Sequence, residues 1–323
     1  LALILEGDGA ERVRLGWTDA AEPRMVVTAD GYDDEAIAGA VYRHATACLA
    51  PSSWIGCDLQ AEPWKGRNAV FSPRVKAPKF MKQWQSLQAK RIQGTDHEME
   101  DATAPGYDID LEFIGALGEP AYWYFTSNGS EPDGGASRWE MKTRNQGQDF
   151  VRNRLRQLNR IVAARDVVAI VSGLTGRTVE DEAYKGKRSD ESRTATGLTS
   201  PRFTDSVLAW CALWGMSSFP VIHRIMRVSV TAGAVPIGRF NPTHLVLPVL
   251  VGPRTLERWR AMVVSEQIIR AVTNTGDVAA GVPERAWLMA HGVRAILTFR
   301  FYVSDNSKAP ERSLGAGMLE VMT

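Results

Sequence analysis

The residues of this chain that could do chemistry are basic and acidic side chains gathered in blocks. From Arg67 to Ile92 there are seven Lys/Arg residues and no acid, and from Gln93 to Pro120 eight acids and no Lys or Arg. Arg138–Arg165 then holds eight basic residues against Glu140 and Asp149. Two sets within these blocks suit phosphate. Arg74, Lys76, Lys79 and Lys82 run beside Phe80 and Trp84, whose rings could stack on unpaired bases. Lys142, Arg144, Arg152, Arg156 and Arg160 form the second set, in which forked guanidinium donors match phosphate geometry. Arg152, Arg156 and Arg160 lie four residues apart, so on a helix they rise about one turn, ~5.4 Å, from one to the next. Contacts of this kind give affinity with little reading of base sequence. The plainer alternative has three parts. The basic faces are simply solvated, Phe80 and Trp84 pack in the core, and the arginine stripe pairs with the Asp96–Asp101 block.

One pattern resembles a catalytic core. Pro132-Asp133, six residues, then Glu140-Met141-Lys142 follows the PD-(D/E)xK spacing, in which two acids hold a divalent ion and a lysine orients the attacking water. Asp133 sits in Glu131-Pro-Asp-Gly-Gly, however, a composition that makes a surface turn with or without metal. Other chemistries lack their residues. His44, His97, His223, His244 and His291 are scattered without HxxxH spacing, and Cys48, Cys57 and Cys211 form no CxxC pair, so no metal site is expected. No GxxxxGK[ST], no GxGxxG after a strand and no GxSxG elbow occurs, and no cofactor is expected.

The 323 residues carry a formal net charge of +1 and are 44% hydrophobic, a composition that excludes wholesale disorder. No apolar run reaches the ~18–20 residues that cross a bilayer. Three sparse cysteines suit a reducing compartment, so the expectation is a soluble, cytoplasmic protein with no membrane partner. The first residue is Leu, which leaves the true N-terminus open.

These residues need elements to position them. Leu1–Leu5 is an apolar run ended by Glu6-Gly7-Asp8-Gly9. Arg12–Trp17 and Arg24–Thr28 alternate as strands of a small antiparallel sheet. Asp33–Leu49 reads as a helix with acids in its first turn, where they meet the positive end of the dipole. Pro51–Lys79 is expected to be irregular, Phe80–Ile92 helical and Thr95–Pro105 an exposed loop. Gln148–Arg165 is the clearest helix, with Val151, Leu155, Leu158 and Val162 on one face. Thr204–Phe219 reads as a buried helix capped by Thr204, and Thr255–Val272 as one long helix. Arg224–Val230, His244–Val251 and Val293–Val303 read as strands. Fold class is thus α+β, a mixed, irregular two-part architecture with small antiparallel sheets and a helical C-terminal half. The expected parts are residues 1–175 and 204–323, joined by a mobile loop or linker at 176–203.

Three C-terminal segments carry a family resemblance. Leu208–Pro220 (LAWCALWGMSSFP), Arg227–Gly233 (RVSVTAG) and His244–Ala261 (HLVLPVLVGPRTLERWRA) resemble the large-subunit-like CRISPR-associated family of type I-U, or type I-G, systems. In that family an "LA-x-x-G-x-x-x-FP" helix precedes a basic strand and an "LPV…P-x-x-L" segment. The resemblance covers mainly Arg138–Glu266, and its motifs are apolar patterns without a catalytic signature. It implies a non-catalytic subunit of an RNA-guided DNA-surveillance complex, with CRISPR RNA or target DNA and other effector-complex subunits as partners. In such complexes base pairing supplies specificity while protein holds backbones. The alternatives are a metal-dependent nuclease acting through Asp133, Glu140 and Lys142, or a scaffold whose basic faces meet acidic proteins.

Overall fold

The computed structural model describes residues 1–18, 20, 24–60, 69–71, 81–101, 109–118, 124–126, 129–131, 139, 150–183, 204–224, 227–239, 241–273, 281–303 and 312–322. The chain opens with a short helix α1 (Ala2–Gly7), whose Leu3, Ile4 and Leu5 are buried. The expected hairpin follows, as β1 (Arg14–Trp17) antiparallel to β2 (Met25–Thr28). Helix α2 (Asp34–Ala47) begins where Asp33 accepts a hydrogen bond from the Ala36 amide at 2.8 Å, and Asp34 and Glu35 occupy its first turn. Its inner face is Ala38, Val41 and Ala45, small enough for neighbouring helices to approach closely.

Helix α3 (Met81–Asp101) is 21 residues long and absorbs most of the expected acidic loop. Gly94 is the misleading residue, since glycine often ends a helix. Here it stays inside because a Cβ at 94 would lie 2.8 Å from the Phe71 ring, so the glycine serves close approach. Helix α4 (Ile109–Leu117) follows, then a small hairpin of β3 (Tyr124–Thr126) and β4 (Gly129–Glu131).

The segment expected as the clearest helix is helical with one irregularity. Its first turn, Val151–Leu155, is a wider π turn, and α5 (Arg156–Ala164) continues it. The predicted face is the buried one: Val151, Leu155, Leu158 and Val162 all sit in the core. Helix α6 (Val167–Thr175) starts on an Asp166 cap and ends on Gly176 at φ +72°, in the left-handed region. Helix α7 (Ser206–Trp214) is capped by Asp205 and not by Thr204, and its last turn is 3₁₀, Gly215–Ser218. The cap moves because Asp205 also holds a buried arginine, described below.

After α7 the expected strand Arg224–Val230 is replaced by two short flanking strands, β5 (Val221–Ile222) and β6 (Val230–Thr231), paired antiparallel. The C-terminal part is organised around a four-stranded antiparallel sheet. It consists of β7 (Ala234–Val235), β8 (His244–Leu250), β9 (Val293–Val303) and β10 (Arg312–Val321), in the order β10-β9-β8-β7. The sequence reading gave β10 no strand; Gly315 and Gly317 dilute its apolar signal, and the register shifts between Leu314 and Gly317. The long helix expected over Thr255–Val272 is two, α8 (Leu256–Val263) and α9 (Glu266–Thr273). The break falls at Ser265, whose hydroxyl donates to the Met262 carbonyl at 2.8 Å and accepts from the Ile268 amide at 3.4 Å, as a cap does. Helix α10 (Val282–Ala290) leads into β9.

One hydrophobic cluster runs through all of this, from Ala2 to Met322. At its centre Trp54 meets Phe71, Phe113 and Trp214 edge-on at 5.7–6.3 Å, and Phe113 lies 4.7 Å from Trp214. The two expected parts share this cluster. They also share a buried ion-pair network. Arg165, at the end of α5, donates to both Asp205 oxygens at 2.9 and 3.1 Å, and to both Glu182 oxygens at 2.8 Å. No helix among the described residues is long and apolar enough to cross a membrane.

Candidate nucleic-acid interface

Helix α3 shows which of its residues are structural. Trp84, Leu87 and Arg91 form the inner face, all buried. The Arg91 guanidinium donates to the backbone carbonyls of Val70 and Gly118 and lies 5.1 Å from the centre of the Phe71 ring. Trp84 therefore belongs to the core and presents no stacking platform to solvent. Lys82 and Lys90 stand on the exposed side.

The charges along α3 are polarised. Its first eleven residues include Lys82, Lys90 and Arg91 and no acid, while its last two turns include Asp96, Glu98, Glu100 and Asp101 and no Lys or Arg. Of these, Lys82 in the first turn and the acids of the last turn oppose the helix dipole, each terminal charge being worth about 0.3–1 kcal/mol, whereas Lys90 and Arg91 lie mid-helix. Helix stability does not account for the polarity.

On the π turn and α5, the arginine stripe divides. Arg156 donates twice to the Ile55 carbonyl, at 3.0 and 2.7 Å, and to Asp58 Oδ1 at 2.9 Å. Arg152 lies 3.8 Å from the other Asp58 oxygen. One carboxylate thus sits between two guanidiniums, and Arg156 ties the turn at Trp54–Gly56 to α5. Arg152 and Arg156 of the stripe pair with Asp58, while the side chains of Glu98, Glu100 and Asp101 in the Asp96–Asp101 block lie outside the described residues. Arg160 is exposed with no ion pair among the described residues, and so is Lys82. Arg74, Lys76, Lys79, Lys142 and Arg144, with Asp133 and Glu140 of the nuclease pattern, lie outside the described residues.

No group of three or more His, Cys, Asp or Glu residues suited to a metal ion occurs among the described residues. His44 is held 4.4 Å from Trp214 and 5.6 Å from Trp210, and burial pushes its pKa down to about 4. Glu6 is pushed up to about 7, first by burial and then by the charge of Glu257. Arg260 binds Glu112 through both terminal nitrogens and donates to the Ser217 carbonyl at 2.9 Å, joining α8 to α4.

Sequence reasoning missed a third basic place. Arg14 on β1, Arg254 in the turn after β8 and Arg258 on α8 line one cleft. Arg254 and Arg258 are four apart and were legible as a pair. Arg14 was not, because it is brought there by backbone pairing of Leu15 with Arg254 across some 240 positions.

The fold defines an α+β protein in which Lys82, Lys90, Arg154 and Arg160 of the basic blocks are exposed. Comparison with protein families, with curated proteins and with solved structures finds no match. Three C-terminal segments were singled out in the sequence, Leu208–Pro220, Arg227–Gly233 and His244–Ala261. In the structure these are α7 with its 3₁₀ turn, the region of β6, and β8 with the start of α8.

Proposed function

We propose that this protein is a non-catalytic, cytoplasmic nucleic-acid-binding subunit of an RNA-guided DNA-surveillance complex. It contacts phosphate backbones through its basic faces and neighbouring subunits through the rest of its surface. The observation that carries the reading is the charge polarity of α3. A helix that carries Lys82 in its first turn and acids in its last gives up some stability at each end, and binding a polyanion at the Lys82 end is the compensating gain. The basic sequence that leads into this helix, Arg67 to Lys79, extends the same sign. The three C-terminal segments supply the narrower placement in a CRISPR effector complex.

The test is binding of labelled single-stranded RNA, single-stranded DNA and duplex DNA, measured by fluorescence anisotropy across a salt series. Affinity should fall steeply with salt for every sequence tried, and Lys82→Glu with Arg160→Glu should lower the slope by roughly one unit per lost phosphate contact. A slope unchanged in that folded double variant removes these two residues from the interface. Cleavage of the probes on adding Mg²⁺ would overturn the non-catalytic reading and return attention to Asp133, Glu140 and Lys142. Co-expression with the neighbouring subunits should yield an assembly carrying RNA of uniform length.

A further inference from the structure

The cleft lined by Arg14, Arg254 and Arg258 has the chemistry of a discrete anion site. It is an open cavity of about 670 Å³, and none of the residues lining it is acidic. Its walls are tied together by backbone. Leu15 and Arg254 exchange both of their amide–carbonyl bonds, at 2.7 and 2.8 Å, and the Val251 amide donates to the Gly292 carbonyl at 2.8 Å. Strand β1, the turn after β8 and the end of α10 are thereby held as one frame.

The side chains on this frame are cationic and largely unneutralised. Arg258 donates to the His291 carbonyl at 2.8 Å, which aims its guanidinium along the cleft wall. The Arg254 guanidinium lies over Gly292, where a Cβ would come within 3.8 Å of its Nη2. Neither Arg14 nor Arg254 has a carboxylate partner among the described residues, and both are exposed. Glu257, the acid nearest in sequence, acts on Glu6 on another side of α8. His291 completes the lining, stacked on Trp287 with ring centres 3.7 Å apart, and its Nδ1 is 2.7 Å from the Trp287 carbonyl. That bond requires Nδ1 to carry the proton, so Nε2 of the neutral ring is an acceptor and the arginines are the donors an anion would meet.

Three guanidiniums around one cavity repel one another until an anion sits between them. A phosphodiester brings one negative charge, whereas a phosphate monoester brings nearly two and three acceptor oxygens. The cavity is far larger than a bare phosphate, and Val251 and Met289 give its rim an apolar character, both being at least 40% exposed. The geometry points to a site for the terminal phosphate monoester of a nucleotide, either a chain end or a free mononucleotide. The choice of a nucleotide over other phosphate esters rests on the nucleic-acid reading above.

The test compares an oligonucleotide carrying a 5′-phosphate with its 5′-hydroxyl twin, alongside 5′-AMP and inorganic phosphate by calorimetry, all on the full chain. The phosphorylated strand should bind about ten-fold or more tightly than its twin, in keeping with charged hydrogen bonds. Arg14→Ala with Arg254→Ala should abolish that difference while leaving the salt-dependent binding of the hydroxyl strand intact. Neither side chain holds a described partner, so the fold should survive, with circular dichroism as the check. Equal binding of the two strands overturns the cleft and leaves the nucleic-acid reading standing. Binding of 5′-AMP or phosphate that requires Arg254, with no oligonucleotide binding at all, supports the cleft and overturns the nucleic-acid reading. Binding of none of the four probes overturns both.

Discussion

At the scale of single residues, the partly buried Glu6 and His44 set opposing pH responses. His44 has a folded pKa of about 4 against an ordinary 6.5, caused first by burial against Trp210 and Trp214. As pH falls from 6.5 towards 4, the unfolded chain takes up the proton that the folded one refuses, so this group's contribution is lost on acidification. Glu6 behaves in the opposite sense. Its folded pKa is about 7 against an ordinary 4.5, so between those values the folded state keeps a proton that the unfolded state has released. Its contribution is present below pH 4.5 and is lost as pH rises through 7. Between about pH 4.5 and 6.5 the two slopes oppose each other and the native protein's stability from this pair is nearly flat. Glu6→Gln should expose the His44 slope, with stability rising with pH across that window by at most ~1.4 kcal/mol per pH unit. His44→Leu should expose the reverse, stability falling as pH rises from 4.5 to 7. Urea midpoints at four pH values, each variant against the native chain, read both; a Glu6→Gln profile parallel to the native one would show that Glu6 is not shifted.

At the scale of elements, α3 sets stability against binding. Lys82 is the second residue of the helix, where a carboxylate suits the dipole and a cation does not. Lys82→Glu should therefore leave the thermal midpoint unchanged or raise it, by an amount corresponding to about 0.3–1 kcal/mol, while weakening nucleic-acid binding. A lower midpoint would mean that Lys82 holds the fold, and the argument from polarity would fail. The same helix shows what the sequence made legible. Trp84, Leu87 and Arg91 were readable as one face by spacing, but Gly94 hid the continuation, since its reason is the ring of Phe71 more than twenty residues away. Periodicity likewise found the buried face of α5, because Val151, Leu155, Leu158 and Val162 answer to local geometry. It did not find the break at Ser265, where cap bonding competes with a helical pattern that runs straight through. Nor could it find the Arg14–Arg254–Arg258 cleft, whose members meet through long-range pairing. For Arg152, Arg156 and Arg160 the stripe was read correctly as a spacing. The role of Arg156 as a tie to Ile55 and Asp58 depends on a loop whose path spacing does not encode.

At the scale of the whole molecule, the question is whether 176–203 separates two independent parts. Independent domains carry their own cores and few contacts cross between them. Here buried side chains from α2, α4, α5 and α7 meet in one hydrophobic cluster, with Trp54 and Phe113 from one side packed on Trp214 from the other. Arg165 and Asp205 add a charge-paired link across the same division, Asp205 being fully enclosed and bonded as well to the Glu180 and Val207 amides. Even adding a methyl group at Gly173 would bring it to within 2.3 Å of an Asp205 oxygen. Breaking such a pair by removing one partner leaves an uncompensated buried charge, at a cost of about 3–5 kcal/mol. Arg165→Ala should therefore lower the stability of the entire chain and not of one part. Tryptophan fluorescence and far-ultraviolet circular dichroism should shift together to lower denaturant, in a single transition. Two separated transitions, with only one moved by the substitution, would instead mark 176–203 as a true domain boundary, and each part would then merit its own nucleic-acid binding curve.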